Sequence, residues 1–281
     1  MAARSRSSRR RPRRRSGVPD LLARILVAVP AIAFAVFIVA SGGWIFTAGV
    51  LALGLLCLHE LFRMYENVRP VKLAGFAALI GLAVAAQVGD ERQVLLAAVA
   101  FLPVMFLLAI AMPLREGVTV TTGMAFTTFG VFWIGMAIAH AVLLRDAPHG
   151  DGIIIDILVG TFVGDTGAYL GGRSFGTRRL APRISPNKTL EGLAIGFVVA
   201  VLATWCAGLY QDWLSGGQAL LLGVAVGLAA PLGDLFESQV KRDSGVKDTG
   251  KAFGAHGGAL DRLDAAFFTL VAGYYVWLAL M

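Results

Sequence analysis

Residues 219–236 read A-L-L-L-G-V-A-V-G-L-A-A-P-L-G-D-L-F, with Asp234 the one charged side chain among them. A run of this length and composition is close to the roughly 20 residues that a bilayer core requires. Inside lipid the backbone must satisfy its own hydrogen bonds, so the run is read as a helix and not a strand. The polar stretch after it, Ser238–Asp264, reads S-Q-V-K-R-D-S-G-V-K-D-T-G-K-A-F-G-A-H-G-G-A-L-D-R-L-D, and another apolar run starts at Leu263. A loop between two spans has no structural need for so many charges and glycines. Phosphate chemistry does: cations hold phosphates, carboxylates hold a metal, and glycines let backbone approach a ligand.

The rest of the chain has the character of that opening run. Of 281 residues, 57% are hydrophobic and 15% charged, and the mean hydropathy is +0.73. Soluble domains carry about 25% charged residues, so most of this chain has little polar surface to offer water. The expected fold is all-α: a polytopic integral membrane helical bundle of about nine transmembrane helices. The nine candidate spans are 21–40, 44–61, 73–88, 94–112, 123–144, 153–171, 190–210, 219–236 and 263–281. Three regions are expected: a disordered Arg-rich tail (1–20), N-terminal transmembrane helices (21–150), and a C-terminal catalytic region (151–281) with two polar loops. Cys57 and Cys206 lie in apolar runs and read as small buried hydrophobes.

Charge placement fits nine spans. With the N-terminus in the cytoplasm and the sides alternating, all Lys and Arg residues except Arg92 and Arg145 fall on the cytoplasmic side. The expected location is the plasma membrane, multi-pass, with both polar loops cytoplasmic and the C-terminus outside. The Arg-rich tail then reads as a topology signal, with anionic-lipid or nucleic-acid binding as its alternative.

Carboxylates inside apolar runs point to chemistry, because each costs about 2.5–3.5 kcal/mol to insert. Asp165 lies in V-G-D-T-G-A-Y and Asp234 in P-L-G-D-L-F-E-S. Pro231 and Gly233 suggest a broken helix lining a cavity at Asp234. Asp156 reads as an interfacial residue on the opposite side. Asp261 and Asp264, three apart, share one helix face. Helix capping accounts for one of them, but not for the constellation with Asp234, Lys241, Arg242, Lys247, Asp248 and His256. Carboxylates from two helices beside basic residues suggest Mg²⁺ shared with a substrate polyphosphate. His256-Gly257-Gly258 reads either as a turn or as a loop presenting N–H groups to phosphate. In the other loop, Arg178 and Arg179 read as topology residues. Ser185-Pro186-Asn187-Lys188-Thr189 places hydroxyls and a lysine at a helix N-terminus, a ready anion site.

These residues fall into a longer pattern. Ser238, Lys241, Arg242, Lys247, Asp248, His256, Gly257, Gly258, Asp261, Arg262 and Asp264 match S-x-x-K-R-x4-K-D, then H-G-G, two residues, and D-R-x-D. Upstream stand Gly164-Asp165, Ala168-Tyr169, Phe175-Gly176 and Ile184-Ser185-Pro186 through Lys188-Thr189 to Glu191-Gly192. Over its C-terminal 120 or so residues the chain resembles the phosphatidate cytidylyltransferase, or CDP-diacylglycerol synthase, family. It departs from the pattern at Asn187, Gly254 and Ala259. The resemblance implies a nucleotidyltransferase of phospholipid synthesis that takes CTP and phosphatidate to CDP-diacylglycerol and pyrophosphate. It implies Asp234, Asp261 and Asp165 as metal ligands, with Asp234 and Asp261 principal and Asp264 and Ser185 as weaker candidates. Catalysis falls to Asp234, Asp261, Asp264, Lys241 and Lys247. Substrate binding falls to Ser185, Lys188, Ser238, Arg242, His256, Gly257, Gly258 and Arg262. The expected cofactor is Mg²⁺, with a monovalent cation such as K⁺ as a second candidate. The expected partners are CTP, phosphatidate, membrane lipids and a second copy in a homodimer, with no nucleic acid. The alternatives are a CTP-dependent lipid kinase of the polyprenol or phytol type, a cation-coupled secondary transporter, and an adaptor acting through its Arg tail.

Overall fold

The computed structural model describes residues 18–111, 119–250 and 257–281, with side chains from residue 29 onward. The Arg-rich tail up to residue 17 and His256 lie outside the described residues. The helices are α1 (Val18–Ser41), α2 (Gly43–Met64), α3 (Lys72–Val88), α4 (Glu91–Ile110), α5 (Val120–Gly130), α6 (Met136–Asp146), α7 (Gly150–Phe175), α8 (Leu190–Gly208), α9 (Gly216–Asp243) and α10 (Leu260–Leu280). Two compact units divide the chain within α1, Met1–Ala35 and Val36–Met281. The second unit holds all the described site residues.

Each of the nine predicted apolar runs is helical among the described residues. Among the described residues, seven helices are long and apolar enough to cross a membrane: α2, α4, the α5–α6 rod, α7, α8, α9 and α10. The stretch Val29–Ser41 of α1 and all of α3 are apolar but shorter. Residues 120–146 form one rod, in which a π turn at Val131–Gly135 joins α5 to α6. The outer faces are apolar: Leu95, Leu96, Val99, Leu107 and Ile110 are all exposed on α4. A water-soluble monomer does not present so continuous an apolar belt.

Caps mark where the chain leaves the apolar layer. Asp90 and Gln93 form a capping box at the start of α4, and Ser215 and Gln218 form one at α9. At the far end of α9, Gly245 (φ 75°) donates its N–H to Arg242, and Val246 donates to Lys241. This left-handed cap ends the helix, as glycine at that position favours. Arg145, one of the two basic residues on the other side of the sequence-based topology, donates Nε to the carbonyl of Val39 at 2.7 Å near the end of α1. It therefore satisfies a helix C-terminus, where carbonyls lack intrahelical donors.

The four C-terminal helices pack closely and carry the site. α7 meets α8 through small residues: a Cβ on Gly164 would lie 2.7 Å from that of Ala200, and one on Gly196 would lie 2.6 Å from that of Ala168. Membrane helices associate through such close backbone approach, because lipid provides no hydrophobic drive between them. Gly233 does the same for α9 and α10. A Cβ there would sit 2.5 Å from the Asp264 carbonyl oxygen and 3.0 Å from Ala265 Cα.

Four expectations change. α9 is not broken at Pro231 but runs through it; proline forfeits one backbone bond, which membrane helices tolerate. Asp156, near the start of α7 at the end away from the polar loops, is fully buried in the protein rather than exposed at an interface, and accepts a 3.0 Å bond from Gln211 Nε2. Cys57 is buried as expected, but Cys206 is exposed on α8, and both are free thiols. The polar loop after α7 contains an antiparallel hairpin, β1 (Arg179–Ala181) with β2 (Ser185–Thr189), the one sheet among the described residues.

Candidate active site

Helix periodicity assembles the acidic residues. α9 continues seven residues past the apolar run 219–236, to Asp243. Asp234, Glu237 and Lys241 consequently fall at i, i+3 and i+7 on one face. α10 starts at Leu260 and carries Asp261 and Asp264 in its first turns. With the two backbones in contact at Gly233, the carboxylates of Asp234, Glu237 and Asp264 converge: one oxygen from each lies within 4.8 Å of the others. Glu237 and Asp264 are buried, at 1% and 8% exposure. Glu237 Oε1 is buried with no hydrogen-bond partner.

Two lysines enter this acidic group. Lys241 Nζ lies 2.5 Å from Glu237 Oε2 and 2.9 Å from Asp261 Oδ1, tying α9 to α10. Lys188, reaching in from β2, forms an ion pair with Asp234. Asp165 on α7 is exposed, yet within electrostatic reach of both Asp234 and Lys188. Five carboxylates thus stand against two ammonium groups. An excess of negative charge that includes two buried carboxylates, Glu237 and Asp264, is costly unless a cation compensates it.

Asp261 is placed differently from the other three. Its carboxylate accepts bonds from Gly258 N (2.7 Å), Thr249 N (3.0 Å) and Lys241. It therefore closes the base of the loop between α9 and α10. Gly257 there has φ 86°, a conformation that needs glycine. The N–H of Gly258 is spent on Asp261 and is not open to a ligand in this arrangement.

The hairpin is fastened over the end of α9. Arg242 donates Nε to the carbonyl of Ile184 at 3.0 Å, beside half-buried Ser185. Arg179 donates to the carbonyl of Pro186. The base of the hairpin is held by Glu191, which accepts from Thr177 N and Oγ1 and from Arg178 N and Nε at 2.9–3.2 Å. Thr189 is the N-cap of α8, its Oγ1 accepting from Gly192 N. The S-P-N-K-T run therefore does lead into a helix N-terminus. Ser238 is half-buried on α9; Lys247 and Asp248 are exposed after its cap; Arg262 is exposed in the first turn of α10.

The structure thus gathers Asp165, Lys188, Asp234, Lys241, Asp261 and Asp264, and hangs Ser185 and Arg242 beside them on the hairpin contact. Two residues absent from the sequence expectations join them. Glu237 was discoverable: it stands three residues after Asp234, but just outside the apolar run. Glu60 on α2, 5% exposed, accepts from the Leu260 N–H at the start of α10; its local signal, a carboxylate at the very end of the apolar run 44–61, is also that of a membrane-edge residue.

The chain is similar to known proteins over nearly its whole length. The chain matches the Cytidylyltransferase family over residues 22–280. It is 33% identical over 267 residues to a phosphatidate cytidylyltransferase of Bacillus subtilis (strain 168), covering 92% of this chain and 97% of that protein. It is 30% identical over 290 aligned residues to a phosphatidate cytidylyltransferase of Synechocystis sp., covering 90% and 94%. A protein of Escherichia coli named YnbB, uncharacterized, is 37% identical over 163 residues, 55% of each chain. Neither a transporter nor a lipid kinase is favoured by these matches. Matching the family model over residues 22–280 and spanning nearly all of the Bacillus subtilis and Synechocystis proteins, the chain belongs to the cytidylyltransferase family.

Proposed function

We propose that the protein transfers the cytidylyl group of CTP to phosphatidate, giving CDP-diacylglycerol and pyrophosphate. The observation that carries this reading is the convergence of Asp234, Glu237 and Asp264 beside Lys188, in a chain similar along its length to enzymes named for that reaction. A phosphate oxygen of phosphatidate attacks the α-phosphorus of CTP; the bond to the terminal diphosphate breaks and pyrophosphate leaves. No protein group need be covalently modified, so the protein supplies position and charge.

The donor set fits Mg²⁺. Three carboxylates offer hard oxygen ligands, and Glu237 Oε1 is a buried acceptor with no hydrogen-bond partner. Asp234, Glu237 and Asp264 would hold the ion, and Asp165 extends the patch toward a second cation such as K⁺. Bound there, Mg²⁺ neutralises charge on the CTP phosphates. Lys188 is placed to exchange its Asp234 partner for a phosphate. Ser185, Ser238, Lys247, His256 and Arg262 remain candidates for substrate contacts. Lys241 and Asp261 shape the wall between α9 and α10, and Arg242 holds the hairpin over it.

The bilayer setting suits the reaction: the acyl chains stay in lipid while CTP arrives from water. The distribution of basic residues supports a cytoplasmic site in the plasma membrane, with the N-terminus on the same side and the C-terminus outside. The homodimer implied by the family resemblance belongs to this proposal, to be tested by the mass of the detergent-solubilised complex. The function itself is tested with purified protein in vesicles. CTP, Mg²⁺ and phosphatidate together should release pyrophosphate and form CDP-diacylglycerol. Omitting phosphatidate or chelating the metal should stop both. Pyrophosphate release without phosphatidate would overturn the reading.

A further inference from the structure

Glu60 lies about 200 residues from the start of α10, on α2, yet it touches the signature loop at Thr249 and the start of α10 at Leu260. Its Oε2 accepts from the Thr249 hydroxyl at 3.2 Å and from the Leu260 N–H at 3.0 Å. The backbone on both sides lies against its carboxylate: a Cβ on Gly250 would be 2.8 Å from Glu60 Cδ, and one on Gly258 2.6 Å from it. A buried carboxylate is costly and persists where specific donors meet it.

The same loop residues also bind Asp261. Thr249 gives its hydroxyl to Glu60 and its N–H to Asp261. Gly258, packed on Glu60, gives its N–H to Asp261. Asp261 in turn holds Lys241, which holds Glu237. An unbroken chain of polar contacts therefore runs from α2 through Thr249, Asp261 and Lys241 to a carboxylate of the acidic cluster. We infer that Glu60 is a positioning residue: it fixes the base of the α9–α10 loop and the start of α10, and through them the geometry of the Asp234–Glu237–Asp264 cation site. This inference rests on the cytidylyltransferase reading for its kinetic consequence, but not for its effect on cation binding.

Both bonds to Glu60 use one oxygen. The carbonyl oxygen of glutamine accepts two bonds, so Glu60→Gln should preserve the contacts, whereas Glu60→Ala removes them. The test uses full-length protein in vesicles, with Mn²⁺ binding followed by electron paramagnetic resonance beside turnover. Glu60→Ala should weaken Mn²⁺ binding and raise the half-saturating Mg²⁺ and the KM for CTP, each about tenfold, as expected for loss of two buried hydrogen bonds. Glu60→Gln should restore these values to within about threefold of the parent. Thr249→Val, which deletes one donor, should fall between them, and it carries the test should Glu60→Ala not fold. Unchanged Mn²⁺ affinity in folded Glu60→Ala or Thr249→Val would overturn the inference, as would Glu60→Gln being as impaired as Glu60→Ala. A parent protein that binds Mn²⁺ but does not turn over CTP and phosphatidate would instead count against the proposed function.

Discussion

Gly233 is the point at which packing and chemistry are one contact, and Gly233→Ala probes both. The added Cβ would lie 2.5 Å from the Asp264 carbonyl oxygen, 3.0 Å from Ala265 Cα and 3.1 Å from Phe268 Cδ2. Two of these atoms are backbone, so no side-chain rotation relieves the clash. Restoring ordinary contact requires α9 and α10 to separate by about 1 Å, and overpacking of this kind costs about 1–3 kcal/mol. The stability loss is survivable, but the site is less forgiving. Asp234 directly follows Gly233 and Asp264 supplies the clashing carbonyl, so the separation opens the carboxylate cluster itself. A misplacement of about 1 Å costs on the order of a hundredfold in rate. The expectation is a protein that inserts and purifies, unfolds slightly more easily, binds Mn²⁺ more weakly, and turns over about a hundredfold more slowly. The assays are CDP-diacylglycerol formation in vesicles and thermal unfolding in detergent. Parental turnover in Gly233→Ala would refute the argument that this close approach sets the cation site.

Other substitutions test the assignments one at a time. Asp234→Asn, Glu237→Gln and Asp264→Asn should each abolish turnover in protein that still inserts; near-normal activity in any one removes that residue from the cation site. Asp261→Asn keeps an acceptor for Thr249 and Gly258 but weakens the tie to Lys241, so it should reduce activity without the full loss seen for the cluster residues. With Cys57 and Cys206 replaced, a Ser244→Cys thiol should resist an impermeant reagent in intact cells and react after lysis; labelling in intact cells would invert the orientation. Deleting residues 2–15 should leave activity per inserted molecule nearly unchanged while lowering the yield of insertion, because basic residues before the first span help orient it. A large loss per molecule, dependent on anionic lipid in the vesicle, would make the tail a lipid-recruiting segment worth roughly 1 kcal/mol per basic residue.

The apolar runs located the helices because lipid leaves the backbone no alternative, but hydropathy marks the edge of the bilayer and not the end of the helix. The run 219–236 stops at Phe236, whereas α9 continues to its glycine cap at Gly245. That difference hid the most consequential periodicity in the chain. Read as loop, Ser238, Lys241 and Arg242 are a list of polar residues. Read as helix, Lys241 sits one turn beyond Glu237, and Glu237 one turn beyond Asp234. The S-G-V sequence after Asp243 contains the stop signal, so the extension was legible to a search for caps though not to a search for apolar runs. The hairpin over residues 179–189 gave less away, with strands of three and five residues and two prolines in the sequence around them.

Glu60 belongs to a different category. It sits in an apolar helix near polar residues of its own, and nothing nearby distinguishes it from a residue at the membrane edge. Its meaning comes from donors supplied by Thr249 and Leu260, which only the fold brings to it. The same holds for the roles of the signature residues. The family resemblance ranks Asp261 with Asp234 as a principal metal ligand. In the structure Asp261 is already occupied by two backbone N–H groups and a lysine, while Glu237 has an oxygen with no partner. Glu237 offers a cation an oxygen that shares no hydrogen bond, whereas a cation at Asp261 would share the carboxylate with three donors. Which of these carboxylates serve as ligands and which as scaffold is what the comparison of Asp261→Asn with Glu237→Gln reads out.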